Sequence, residues 1–123
     1  MVIPKVKRIA HIVLYVRDPE TSAKWYGDVL GMQVSARVPD GPYRGGVFLS
    51  FGEQDHDLAL FPTTSTERGK EFEHIGLEVD CEGELDRLRR LYGKMLQHNV
   101  RIHEVLDHGV SIGIYFFDPD GHL

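Results

Sequence analysis

One six-residue pattern occurs twice in this chain of 123 residues and constrains the fold more than any other feature. It reads His11-Ile12-Val13-Leu14-Tyr15-Val16 in the first half and His74-Ile75-Gly76-Leu77-Glu78-Val79 in the second. Tandem similarity of this kind indicates a structural unit that is used twice. If a pseudo-twofold axis relates the two units, their leading histidines lie near one another. The pattern therefore predicts that His11 and His74 are two ligands of one metal ion.

The first half of the chain has the pattern of one helix and four strands. The residues from Ile9 to Val16 are mostly apolar and β-branched, which predicts a buried strand. Asp18 and Pro19 predict a helix N-cap and first turn, and Gly31 predicts the helix end. Three further strands are predicted between turn residues, at 32–38, 46–51 and 56–61. The first half therefore reads βαβββ.

The second half repeats this order. A strand is predicted at 73–79, an amphipathic helix from Leu85 to Leu96, and strands at 100–106 and 110–117. A turn at 118–121 precedes a final strand that begins at His122 and is truncated at Leu123. We expect module one at about 6–62, a linker at about 62–71 and module two at about 72–123. The predicted class is α+β, with two tandem βαβββ modules forming an open barrel-like mixed sheet around a metal-site cavity.

Charge and cysteine content narrow the classes of function. The formal net charge of -5, with basic residues scattered along the chain, argues against binding to nucleic acid or to an anionic membrane surface. No apolar run is long enough for a signal peptide or a membrane span. Cys81 is the only cysteine, so no intrachain disulfide can form and a reducing compartment is favoured. We expect a cytoplasmic protein that acts on a small molecule.

A metal site built on two histidines needs at least one further ligand. Two imidazoles and one carboxylate form the facial triad that suits non-heme Fe(II), and related sets hold Mn, Ni or Zn. The natural place for the carboxylate is the final strand, but no glutamate or aspartate follows Gly121. Glu78 is four residues from His74, roughly 13 Å along a strand, which is too far to share an ion. The residues alone leave the third ligand open.

Several other polar and aromatic side chains have ordinary structural explanations when each is considered by itself. His56 and His108 fit surface turns, and Tyr115 fits a strand aromatic that packs on its neighbours. His98 and His103 fit a helix end and an exposed strand. None of these residues points to chemistry on its own.

Taken together, however, the motifs resemble the vicinal oxygen chelate superfamily, which includes glyoxalases, bleomycin resistance proteins and extradiol dioxygenases. The resemblance covers essentially the whole chain. It rests on the two His-Ile-x-Leu-x-Val strands, on Trp-Tyr-Gly-Asp-Val-Leu-Gly-Met at 25–32 and on Phe-Asp-Pro-Asp-Gly-His at 117–122. In that superfamily the first-strand histidines of both units and a glutamate on the final strand hold the metal. The resemblance therefore implies that His11 and His74 are metal ligands.

Within the superfamily the chain most resembles the extradiol catechol 2,3-dioxygenases. The matching segments are His108 followed by Ile114-Tyr115 and the Asp-Pro-Asp-Gly turn, and the His-Asp-Leu-Ala-Leu strand at 56–60. The resemblance implies that His56 is an acid–base group and that His108 and Tyr115 hydrogen-bond the substrate oxygens. It also implies Fe(II), with Mn(II), Zn(II) or Ni(II) as alternatives, and a catechol-type substrate with dioxygen. We expect a homodimer, because an incomplete last strand leaves an exposed sheet edge.

Two other hypotheses stay open. A glyoxalase-like isomerase or lyase of the same superfamily would stabilise an enediolate on the metal. It would need a carboxylate base from the fourth strand of the first unit, where the chain offers only Asp57 beside His56. A metal-free protein that binds an aromatic or peptide antibiotic would not need His11 and His74 as ligands.

Overall fold

The computed structural model describes residues 8–64, 74–107 and 112–123. The chain divides into two compact units, Met1–Thr64 and Ser65–Leu123. The first unit contains β1 (Ile12–Val16), α1 (Pro19–Leu30), β2 (Gln33–Arg37), β3 (Val47–Ser50) and β4 (Leu58–Pro62). The second contains α2 (Leu85–Gln97), β5 (Arg101–Asp107) and β6 (Ile112–Phe117). The α+β class predicted from the sequence is confirmed.

Helix α1 begins and ends at the predicted residues. The Asp18 carboxylate accepts hydrogen bonds from the N–H groups of Glu20 and Thr21 at 3.2 and 3.4 Å. It also accepts one from the Thr21 hydroxyl at 2.9 Å. These bonds pair backbone donors that the first helical turn leaves without partners. Gly31 ends the helix in the left-handed conformation, at φ 74°, and its N–H donates to the carbonyl of Gly27.

The sheet of the first unit is mixed. Its strand order is β1-β4-β3-β2; β1 and β4 are parallel, and the other two pairs are antiparallel. Helix α1 packs against β2, β3 and β4. The residues buried most completely here are Val16, Val29, Val47, Leu49 and Leu60. Because side chains alternate across a strand, the residues between these buried ones lie on the face of the sheet opposite α1.

The second unit has a two-stranded antiparallel sheet, β5-β6, whose register shifts between Ile102 and Glu104. The strand predicted at 73–79 is wrong over 74–79, which form no strand. The Ile75 N–H does donate to the carbonyl of Leu123 at 3.0 Å. A strand needs a series of such bonds, and the bond to Leu123 is not by itself a ladder.

Among the described residues, two strand starts differ from prediction by more than one residue. β1 begins at Ile12 rather than Ile9, and β4 begins at Leu58 rather than His56. His11 therefore lies immediately before β1, and His56 lies two residues before the start of β4. Over the three described ranges, neither helix is long and apolar enough to cross a membrane.

We predict that the N-cap of α1 makes stability depend on acid pH. The hydrogen bonds from Thr21, first its hydroxyl and then its N–H, lower the pKa of the Asp18 carboxyl. A carboxyl with a lowered folded-state pKa adds stability above its unfolded pKa and loses it as pH falls through the folded-state pKa. Asp18→Asn keeps a good N-cap without this titration. In urea unfolding at pH 7 and pH 3, the variant should lose less stability on acidification than the parent protein.

Asp40→Asn is the control, because Asp40 is exposed and makes no side-chain hydrogen bond to the described residues. Its acid loss should equal that of the parent protein. Equal acid losses for the parent protein and Asp18→Asn would contradict the prediction.

Candidate metal and substrate site

Parallel pairing of β1 with β4 brings two of the candidate histidines together. Ile12 is in register with Leu58, and the Ile12 N–H donates to the carbonyl of Asp57 at 3.1 Å. The residues that precede these strands therefore meet at one end of the sheet. The ring centroids of His11 and His56 are 4.6 Å apart, with the planes tilted by 41°. These residues are 45 positions apart in sequence and adjacent in the fold.

The His56 ring is fixed from two sides. Phe48, on β3, stacks on it with ring centroids 4.7 Å apart and planes 27° apart. The Nδ1 atom of His56 lies 2.9 Å from a carboxylate oxygen of Asp55. An ionised carboxylate only accepts hydrogen bonds, so Nδ1 is the donor in this contact, and in the neutral form of the ring Nε2 is the acceptor. A histidine held in this way is suited to take up a proton at Nε2.

Asp57, directly after His56, has a structural role. Its Oδ2 accepts a hydrogen bond from the Phe51 N–H at 2.8 Å, and its Oδ1 accepts one from the Gln54 side-chain amide. The amide of Gln54 also reaches the carbonyl of Ala10 at 3.4 Å. Both carboxylate oxygens of Asp57 therefore hold the turn between β3 and β4.

The second unit brings two other candidates together. His74 contacts the ring of Tyr115, on β6, in an edge-to-face arrangement with centroids 5.8 Å apart and planes 75° apart. Tyr115 is partly buried, and His74 is exposed. The third candidate in this half, His108, lies outside the described residues.

The turn after β6 is organised by a buried carboxylate. Asp118, whose side chain is 3% exposed, accepts hydrogen bonds from the N–H groups of Asp120 and His122 at 2.9 and 2.8 Å. Its second oxygen lies 2.8 Å from Nδ1 of His122. The Asp118 N–H in turn donates to the carbonyl of His122. These bonds fix the direction in which the chain leaves the turn.

The candidate ligands supply part of what a metal site requires. Imidazole nitrogens of His11 and His74 are suitable ligands for Fe, Mn, Ni or Zn. Within the described ranges, no three His, Cys, Asp or Glu side chains are grouped closely enough to hold an ion. His11 and His74 thus remain two candidate ligands of the predicted type.

The sequence does not predict three contributors to these arrangements. It predicts Phe48 only as part of a strand, Asp55 only as part of a turn and Asp118 only as part of a turn motif. A carboxylate directly before a histidine was an available signal for Asp55. The stacking of Phe48 on His56 depends on strand register, which no local pattern specifies.

Comparison with known proteins places these motifs in a family. The family model described as the Glyoxalase/Bleomycin resistance protein/Dioxygenase superfamily matches residues 8–123. Biphenyl-2,3-diol 1,2-dioxygenase 2 from Rhodococcus globerulus is 33% identical over 122 residues, which cover 94% of this chain and 60% of that protein. The chain therefore spans well under two thirds of the length of that relative.

Two further matches are to proteins with other activities. Lactoylglutathione lyase from Neisseria meningitidis is 32% identical over 123 residues, covering 94% of this chain and 86% of that protein. A fosfomycin resistance protein from Listeria monocytogenes, solved with Mn(II) and a dihydroxypropylphosphonic acid, superposes with a TM-score of 0.74. It is 16% identical and covers 96% of this chain and 89% of that one, a likeness that shows the fold alone.

We predict that the Asp118 carboxylate is required for stability. Asp118→Ala removes a buried acceptor from three donors, two of them on the backbone, and should cost about 2–3 kcal/mol of unfolding free energy. Urea unfolding at pH 7 measures this loss. Asp40→Ala, at an exposed carboxyl, is the matched control and should change stability by less than about 0.5 kcal/mol. Similar losses in both variants would show that the Asp118 bonds contribute little.

Proposed function

The chain belongs to the glyoxalase/bleomycin resistance protein/dioxygenase superfamily, and we propose that within it the protein is a metal-dependent, ring-cleaving extradiol dioxygenase. Its substrate is a catechol-type aromatic diol, and dioxygen is the second substrate. Both atoms of dioxygen enter the ring-opened product, so no external reductant is needed. The observation that carries this proposal is the contact between the rings of His11 and His56. This contact supports the proposal because it joins the proposed acid–base residue to a proposed metal ligand.

The proposed architecture is that of two tandem βαβββ modules, at about 6–62 and 72–123, joined by a linker at about 62–71. Together they would form the open barrel-like mixed sheet expected around a metal-site cavity. The order β1, α1, β2, β3, β4 of the first unit supports the first module. The repeated histidine pattern supports the second.

In this proposal His11 and His74 each supply one imidazole to Fe(II), with Mn(II), Zn(II) or Ni(II) as alternatives. Fe(II) would supply the positive charge and the redox-active centre for ring cleavage by dioxygen, whereas Zn(II), which has no redox chemistry, would supply the charge alone. The resemblance to dioxygenases, including the relative that is 33% identical, favours Fe(II).

His56 is the proposed acid–base residue. Its contact with Asp55 fixes the tautomer, and stacking on Phe48 fixes the ring plane. The side chain is 20% exposed, so the ring is largely shielded from water. An imidazole accepts and returns a proton efficiently near neutral pH. We assign to its Nε2 the uptake and return of a proton during ring opening.

Tyr115 and His108 are the proposed substrate-binding residues. The Tyr115 hydroxyl and the His108 imidazole would hydrogen-bond the two diol oxygens and favour the deprotonated catechol. The contact between the rings of Tyr115 and His74 supports this role, because the proposed substrate-binding residue then lies beside a proposed metal ligand.

A glyoxalase-type isomerase is the second candidate. The coverage of lactoylglutathione lyase favours it, because the chain spans 86% of that protein. The geometry of Asp57 disfavours it, since the carboxylate that would act as base holds the turn between β3 and β4. We therefore rank the dioxygenase first. For either activity we propose a cytoplasmic homodimer that acts on a small molecule.

The test of function is ring cleavage. The protein is loaded anaerobically with Fe(II), and catechol oxidation in air is followed spectrophotometrically by the yellow ring-opened product. His56→Ala should lower kcat about a hundredfold or more while the bound iron is unchanged, because a general acid–base group is lost. His108→Ala and Tyr115→Phe should also lower the rate of ring cleavage, with a smaller effect on the amount of bound metal. His98→Ala, at the exposed end of α2, is the control and should leave activity unchanged.

The alternatives give different results in parallel assays. The protein is a lyase rather than a dioxygenase if it retains metal and isomerises the methylglyoxal–glutathione hemithioacetal without opening catechol rings. Failure to retain any metal after desalting would overturn both enzymes and favour a metal-free binding protein.

A further inference from the structure

Strand β6 carries a glycine two residues before Tyr115. Gly113 and Tyr115 share one face of the β5–β6 sheet, because side chains alternate along a strand. In register, Gly113 lies opposite Leu106, and Tyr115 lies opposite Glu104. The ring of Tyr115 leans back along the strand and approaches Gly113. The glycine is therefore part of the surroundings of a proposed substrate-binding residue.

The two residues approach more closely than a side chain at position 113 would allow. A Cβ atom on Gly113 would lie 3.0 Å from Cε2 of Tyr115, 3.6 Å from Cζ and 3.7 Å from Cδ2. Carbon atoms in van der Waals contact are about 3.5–4.0 Å apart. A methyl group at position 113 would therefore push this edge of the ring away by about 0.5 Å. Cζ, which carries the hydroxyl, belongs to that edge.

The backbone conformation does not explain why position 113 is a glycine. Gly113 lies inside β6, and its φ is not in the left-handed region that favours glycine. A residue with a side chain could adopt this conformation, and β-branched or aromatic residues are the usual choice in a strand. Glycine within a strand weakens it and often marks a close approach by another group. Here the approaching group is the ring of Tyr115.

A second contact restrains the same ring. His74 meets Tyr115 edge to face, with centroids 5.8 Å apart and planes 75° apart. The position of a tyrosine hydroxyl depends on only two side-chain torsions. Contacts with position 113 and with the imidazole therefore restrict where the hydroxyl lies.

We propose that Gly113 is a positioning residue that sets the place of the Tyr115 hydroxyl. The proposal rests on the proposed function, in which this hydroxyl bonds an oxygen of the diol. An O–H···O bond spans about 2.5–3.0 Å between oxygens and weakens steeply when it is misaligned. A ring displacement of about 0.5 Å is enough to weaken such a bond. Glycine at position 113 costs strand stability and leaves the ring its place.

The test begins with two substitutions of increasing size. Gly113→Ala should lower kcat/KM for catechol about five- to tenfold in the Fe(II)-loaded protein, the effect of one weakened hydrogen bond. Gly113→Val, with a larger side chain, should lower it further. The amount of bound iron should stay the same in both variants. An unchanged kcat/KM in Gly113→Ala would overturn the proposal, and so would loss of iron, since the effect would then pass through His74.

A double-mutant cycle shows whether the effect passes through the hydroxyl. In a Tyr115→Phe background the hydroxyl is already absent, so adding Gly113→Ala should change kcat/KM by less than about twofold. A purely structural role of the glycine would give the same loss in both backgrounds and would overturn the proposal. An active parent protein that Tyr115→Phe leaves unaffected would overturn it as well.

Gly93→Ala is the matched control. Gly93 lies in α2, where an added Cβ would meet no heavy atom within 4 Å. Its kcat/KM should equal that of the parent protein, and its unfolding should shift to slightly higher urea, because alanine favours a helix over glycine. Urea unfolding of every variant shows that activities are compared among folded proteins.

Binding measurements separate this proposal from the assignment of activity. Catechol is titrated by calorimetry, anaerobically, into the parent protein, the two single variants Gly113→Ala and Tyr115→Phe, and the double variant. Weaker binding in Gly113→Ala that disappears in the Tyr115→Phe background, without ring opening in air by the parent protein, would support the positioning role and contradict the dioxygenase. Ring opening that Tyr115→Phe slows and Gly113→Ala does not would support the dioxygenase and contradict the positioning role.

Discussion

The parallel ladder between β1 and β4 is the interaction on which the arrangement of the first unit depends. Its five residue pairs set the ends of two strands side by side although β1 and β4 are separated by a helix and two strands. Through this pairing His11 meets His56, and the Gln54 amide reaches Ala10. A slip of one residue would exchange the two faces of β1 and move His11 away from His56. The register of this ladder thus determines that the candidate residues His11 and His56 lie side by side.

Local signals were sufficient for much of the fold. The Asp18 cap, the proline after it and Gly31 defined α1 to within a residue, because capping depends on immediate neighbours. Alternation and turn residues located β2, β3 and the start of β5 well. The segment 74–79 was wrongly predicted as a strand, because a strand pattern does not supply its partner. Within the described residues, Ile75 donates a backbone hydrogen bond to Leu123, and the segment is not part of a ladder.

The candidate site was predictable in its residues and less so in its contacts. Motif resemblance selected His11, His56, His74 and Tyr115, and the fold places them in two contacting pairs. The different roles of His56 and Asp57 could not be read from sequence. Both precede β4, and their separation follows from hydrogen bonds that Asp57 makes with the turn. The contact of Phe48 with His56 depends on the register of the sheet, which the local sequence pattern does not specify.

The contact between His56 and Asp55 also connects the site to its surroundings. The ring of His56 is mostly covered, whereas the side chain of Asp55 is 90% exposed. Nδ1 of a mostly covered imidazole is thus bonded to a group that lies in bulk water. For the acid–base role proposed for His56, the Asp55 carboxylate would connect the ring to solvent. Exchange of a proton along this contact would need no opening of the protein.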